Sequence, residues 1–162
     1  MNTASDALAR SLANSAKFVL MITEDLKPED YLHRPVPGAN CAAWTLGHLV
    51  ISGRSMMKRF GAADLPQFPE AFEAAYARDA QAPKADTFPH IEQLRPLFQQ
   101  HHDQFVELVQ SLPLERVNEK LEKPHPMFGT LGELAAFAPV HISMHAGQIS
   151  TIRRSLGRAP MI

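Results

Sequence analysis

The stretch that decides how this chain is read is Thr130-Leu-Gly-Glu133-Leu-Ala-Ala-Phe-Ala-Pro139-Val-His141-Ile-Ser-Met-His145-Ala-Gly-Gln148-Ile149. Thr130 and Glu133 stand at the spacing of a capping box, in which each side chain accepts from the other's backbone N–H. That predicts a helix from Leu131 to Leu156, with Gly157 suited to its C-terminal cap. Leu134, Ala138, His141, His145, Ile149 and Ile152 fall on one stripe of it. His141 and His145 are four apart, so their imidazoles are neighbours on one face. Two imidazoles so spaced can share one metal ion. Pro139 lacks a backbone donor and should bend the helix just before the pair. Arg153, Arg154 and Arg158 lie near its C-terminal end, where cations favour the helix dipole.

Working backwards, three more long amphipathic segments emerge. The first spans about Ser5 to Leu26, with Leu8, Leu12, Ala16, Val19, Ile22 and Leu26 on one stripe. The second runs from about Cys41 to Phe60, capped by Asn40 and ended at Gly61. Trp44, His48, Ile51 and Ser55 form its stripe, and Gly47 beside His48 permits close packing or ligand access there. The third starts near Asp86 or Thr87 with Pro89 in its first turn and runs to Leu112. Ile91, Leu94, Phe98, His101, Phe105, Leu108 and Leu112 form a bundle-type seam, and Pro96 kinks or delays its start. Residues 61–87 are proline-interrupted, with a short helical piece around Glu70 to Arg78; this long connection between the second and third helices permits a crossover. Residues 114–129 read as a loop around Pro124 and Pro126. Four helices and no strand signal predict an all-α four-helix bundle, one domain over residues 1–162.

Composition narrows the function classes. The chain has 162 residues, 45% hydrophobic and 20% charged, which places it among soluble globular domains. Sixteen basic residues nearly balance seventeen acidic ones, so no field that gathers nucleic acid is expected. One cysteine forms no internal disulfide, which fits a reducing compartment. Phe18–Ile22 is too short an apolar run for a signal or a membrane span, so a cytoplasmic location is expected.

His48, His141 and His145 together predict a three-histidine metal site in the bundle core. Imidazoles suit Zn, Ni, Cu or Fe(II) rather than Mg or Ca. Three protein ligands leave positions open, the arrangement of catalytic sites. Gln148 lies near the same face and can hold a metal-bound water or substrate, or make a helix–helix hydrogen bond. His101 either lines the cavity as an acid–base group or is a packing histidine. Cys41 lies two turns from His48, too far for the same ion, and is expected to be a small buried residue. His33, His90, His102 and His125 read as surface or loop residues.

The segments Asn40-Cys-Ala-Ala-Trp44-Thr-Leu-Gly-His48-Leu, Thr130-Leu-Gly-Glu-Leu and His141-x-x-x-His145-x-Gly-Gln148-Ile resemble the DinB superfamily, as does the Arg34-Pro35-x-Pro37-Gly38 loop. The resemblance spans essentially the whole chain. It implies a bundle of up-down-down-up topology and a divalent metal, often Ni or Zn, on three histidines, which fall on His48, His141 and His145. It also implies a thiol-dependent S-transferase or isomerase using a low-molecular-weight thiol, although many members have no known activity. Pro139 departs from the residue expected there. The leading expectation is therefore metal-dependent transfer chemistry on a small thiol and a small-molecule substrate. Hydrolysis by a metal-activated water is an alternative, as is a non-catalytic metal- or ligand-binding stress protein. Bundles of this resemblance often pair through helices, so a homodimer is expected, with Phe18 and Leu20 among the apolar residues off the main stripes. Protons competing on the histidines near their ordinary pKa of about 6.5 predict thiol affinity rising between about pH 5 and 7.

Overall fold

The computed structural model describes residues 3–78 and 91–161. Five helices and one small hairpin make up the described chain: α1 (Thr3–Ile22), α2 (Ala42–Arg59), α3 (Glu70–Tyr76), α4 (Ile91–Gln110), β1 (Lys120–His125), β2 (Phe128–Thr130) and α5 (Leu131–Ser155). The all-α class is thus the observed one. The predicted start of the third long helix near Asp86, and His90, lie outside the described residues.

The apolar stripes explain how the four long helices meet. Leu12, Ala16, Val19 and Ile22 of α1 are buried, as are Leu94, Phe98, Phe105 and Val109 of α4 and Leu134, Ala138, Ile149 and Ile152 of α5. α1 packs on α4 and α5, and α2 packs on the same two helices. Helices consecutive in the chain, α1 with α2 and α4 with α5, are therefore not principal partners. Polar ties hold this order. Ser5 Oγ donates to the Leu112 carbonyl at 2.7 Å. Arg153 donates to the Ile22 carbonyl at 3.0 Å and ion-pairs with Asp25. Arg153 is buried rather than part of a solvated helix end, and its hydrogen bonds hold the Asp25 carboxyl below the usual range.

Several boundaries differ from the sequence reading. α1 stops at Ile22, and Thr23 Oγ1 turns back onto the Val19 carbonyl at 2.8 Å. Pro28 then opens a 3-10 turn at Pro28–Leu32, and Leu26 is buried outside the helix. α2 is capped by Cys41, whose backbone is extended, one residue later than Asn40. Its buried face includes Leu46, Leu49, Val50, Gly53 and Met57. Trp44 is buried too, but His48 and Ile51 are only half-buried and Ser55 is exposed, so the predicted stripe is the flank of α2 rather than its core face. α4 runs through Pro96, which is exposed, and α5 runs unbroken through Pro139. The capping box of α5 is formed: Thr130 Oγ1 accepts from Glu133 N at 3.2 Å, and Glu133 Oε2 accepts from Thr130 N at 3.1 Å.

The segment read as a proline-rich loop forms a two-stranded antiparallel hairpin, β1 with β2, pairing Lys120 with Thr130 and His125 with Phe128. Pro124 is tolerated because these strands have no further partner and are mostly exposed. Gly132 fixes the root of the hairpin. Its N–H donates to the Val117 carbonyl at 2.8 Å, and a Cβ there would stand 2.6 Å from the Val117 side chain. No helix among the described residues is long and apolar enough to cross a membrane.

Candidate metal centre

His48 from α2 and His141 and His145 from α5 come together. One ring nitrogen from each lies within 4.8 Å of the others. Ring centroids are 4.7 Å apart for His141–His145, 5.0 Å for His48–His145 and 5.5 Å for His48–His141. Two nitrogens bound at about 2.1 Å to one ion lie at most about 4.2 Å apart, so small side-chain adjustments bring all three onto a single metal.

The other ring nitrogens of two of them are already engaged. His48 Nδ1 donates to the Tyr76 carbonyl at 3.1 Å, and His145 Nδ1 donates to Gln148 Oε1 at 3.0 Å. Both acceptors fix the tautomer in which Nε2 carries the free lone pair. Gln148 thus serves the adjacent histidine on its own helix, with no helix–helix bond among the described residues. Trp44, one turn before His48, stacks on it with centroids 4.6 Å apart and planes at 7°.

α3 orients His48 through a close approach. The Tyr76 ring lies flat against Gly47, where a Cβ would meet ring carbons at 2.3–2.5 Å. Only glycine admits the fully buried tyrosine there, and the Tyr76 backbone carbonyl then faces His48. α3 is held in turn by an ion pair between Glu73 and the buried Arg54 of α2.

Burial keeps all three imidazoles neutral. Desolvation pulls His48 and His145 below the ordinary histidine range, partly opposed by their hydrogen bonds to Tyr76 and Gln148. His141 is pulled to about 3 by desolvation and by the neighbouring His145, His48 and His102. Neutral imidazole is the ligand form. Proton competition on these histidines therefore falls at lower pH than for ordinary histidines.

The three rings open on a cleft of about 510 Å³. Its walls include Trp44, Met56, Phe128, Phe137 and Met144, with Arg59, Arg78 and His125 among the polar groups. The hairpin supplies His125 and Phe128, whose rings stack at 4.6 Å, with Phe128 5.1 Å from Phe137. Sequence reading missed these two because prolines hide the hairpin. His101 is not among the lining residues. It is buried against Phe68 at 5.3 Å, and neither ring nitrogen has a partner among the described residues. His102, read as a surface residue, is buried as well. Its Nδ1 donates to the Phe98 carbonyl at 2.9 Å, and burial holds its pKa at about 4. α4 turns both rings inward because His102 sits four residues beyond Phe98 on the buried face. Cys41 is buried as expected, and desolvation raises its pKa.

Helices packed around three neutral imidazoles that open on one cleft define a helical protein fitted to a divalent metal. The chain belongs to the DinB superfamily, whose family model matches residues 12–149. Comparison with curated proteins and with solved structures finds no match.

Proposed function

We propose that the chain is a divalent-metal-dependent enzyme that acts on a small thiol, transferring its sulfur to, or isomerising, a small-molecule acceptor. The observation that carries the reading is the grouping of His48, His141 and His145 without a fourth ligand among the described residues, beside a cleft that reaches all three. Three histidine ligands would leave coordination positions open on a bound ion. The thiol rests on the family resemblance, in which characterised members use one. A bound divalent ion, Ni or Zn by that resemblance, lowers the pKa of a thiol placed next to it.

The chain's own residues do the rest. Tyr76 and Gln148 aim the Nε2 atoms of His48 and His145. Trp44 stacks on His48 and restrains its rotation. Phe128, Phe137 and Met144 give the cleft an apolar wall beside the three histidines.

Calorimetric titration of metal-loaded and metal-free protein with glutathione or cysteine tests the proposal. Two buffers of different ionisation enthalpy reveal proton release. Binding that releases a proton only in the metal-loaded protein is expected. Equal binding without metal, or no binding of either thiol, would overturn the thiol assignment.

A further inference from the structure

The residues lining the cleft have a lopsided chemistry. Among the described residues thirteen side chains line it, two of them guanidinium groups, Arg59 and Arg78, and none a carboxylate. The chain as a whole carries a formal charge of −1, so this local excess of positive charge is not a property of the surface at large. A divalent ion on the histidines would add to it. An anion is the ligand such a cleft favours.

Arg59 is preorganised. Its Nη1 donates to the Lys123 carbonyl at 2.6 Å, and its guanidinium carbon stands 5.7 Å from the Phe128 ring centroid. One of its N–H groups is used in that bond and others remain to donate. Arg78 follows α3 by two residues, and its charge acts on the His48 ring. One cation is thus held by the hairpin, and the other stands just past the segment that orients His48.

The rest of the wall sets the shape of the ligand. Met56, Phe128, Phe137 and Met144 present apolar surface, and the polar groups besides the arginines, the three histidines of the cluster and Trp44 are Ser52, Ser55 and His125. Ser52 already donates to the His48 carbonyl at 2.7 Å. A sugar or a nucleotide would leave most of its hydroxyls unmatched here, which is costly. A volume of about 510 Å³ lies in the range of small-molecule sites.

We propose that the cleft takes a small carboxylic acid with an apolar, preferably aromatic, body, its carboxylate recognised by Arg59 and Arg78 and its body lying on Phe128, Phe137 and Met144. This rests on reading the cleft as the place of the acceptor substrate at the metal centre. A planar guanidinium matches a carboxylate with two parallel hydrogen bonds. Both arginines are exposed, so each contributes modestly.

The test uses phenylacetate and its neutral counterpart phenylacetamide as probes, titrated calorimetrically. The proteins are metal-loaded wild type, wild type stripped with a chelator, Arg59→Gln, Arg78→Gln and Arg59→Lys. The expected result is a preference of roughly tenfold for the acid in wild type. Each Gln variant should lose roughly threefold of the acid's affinity and leave the amide's unchanged, while Arg59→Lys, which keeps the charge but not the planar fork, should fall between wild type and Arg59→Gln. The preference should persist, reduced, in the stripped protein. Equal affinity for acid and amide in wild type, or no binding of either, would overturn the proposal. So would a preference that disappears with the metal and ignores both Gln substitutions, since the carboxylate would then be a metal ligand only. Metal content is measured separately. A protein without metal affinity that still prefers the acid through Arg59 and Arg78 would refute the proposed function and leave the anion site standing.

Discussion

Replacing Gly47 with Ala should damage the metal centre more than the fold. The new Cβ would stand 2.3–2.5 Å from three ring carbons of Tyr76. Ordinary carbon contacts begin near 3.5 Å, so the ring must retreat by about 1 Å. Tyr76 is fully buried and packs edge-on against Phe72 at 4.7 Å, so it cannot retreat alone and α3 moves with it. A shift of that size stretches the bond from His48 Nδ1 to the Tyr76 carbonyl, now 3.1 Å, past about 3.5 Å, where it no longer counts as a hydrogen bond. Overpacking costs about 1–3 kcal/mol, and Ala in place of a helical Gly returns about 0.5–1 kcal/mol. The net loss is about 0–2.5 kcal/mol, a fall in Tm of at most about 10 °C. Loss of a ligand's outer partner lowers metal affinity about 10–100-fold. The assay pairs thermal melts with competition titration against a metal-binding dye. Gly53→Ala is the control, because a Cβ there meets only the His102 ring, at 3.7 Å, an ordinary contact. It should leave metal affinity unchanged and stability equal or slightly higher. Gly47→Ala protein that melts lower yet binds metal as tightly as wild type would refute the orienting role of α3.

Three further outcomes are expected. Gln148→Ala should weaken metal binding roughly tenfold with little change in Tm, because Gln148 is exposed and its contact is with His145; unaltered affinity by the same dye competition would remove it from the site. Metal-free protein should lose stability on acidification. Burial holds His48, His101, His102, His141 and His145 below their ordinary range, so each stays neutral in the fold and takes up a proton on unfolding. The unfolded state then binds more protons between about pH 6.5 and the folded values, about 4 for His102 and about 3 for His141. Stability therefore rises with pH across that window and levels off above about pH 7, whereas a Tm that is flat or rises from pH 7 to 5 would contradict the buried neutral state. Finally, the chain should sediment as a homodimer at tens of micromolar, roughly where weak pairs populate. Phe18 and Leu20 lean on the core, and Val140 and Met144 of α5 are the more exposed apolar residues, at 60% and 56%. A monomer mass at that concentration would count against pairing.

Periodicity made much of this molecule legible. The stripes of α1, α4 and α5 are strong because apolar residues recur at helical spacing over five or more turns. The α5 start was readable because a capping box is a local device, written in two residues. The helix-spaced pair His141 and His145 was equally local. α2 was harder. Ala, Gly and Ser fill much of it, so two stripes compete, and the stripe that carries His48 turned out to border the cleft. The hairpin was hidden because its prolines suit an edge strand as well as a loop, and only the docking of residues 117–119 on the start of α5 decides between them. His102 was misread because two adjacent histidines on a helix usually point apart, yet α4 is covered on both sides of its seam. The Tyr76–Gly47 contact joins residues far apart in sequence, and no local pattern announces it.

The central claim is that His48, His141 and His145 together hold one divalent metal. Metal analysis of purified wild type and of His48→Ala, His141→Ala and His145→Ala tests it most directly, after loading with Ni or Zn and desalting at pH 7. His33→Ala, whose ring bonds Ser155 at 2.9 Å away from the cluster, is the control. About one equivalent is predicted for wild type and the control, with each cluster variant losing most of it. Equal metal content across all five proteins, or none in any, would contradict the account.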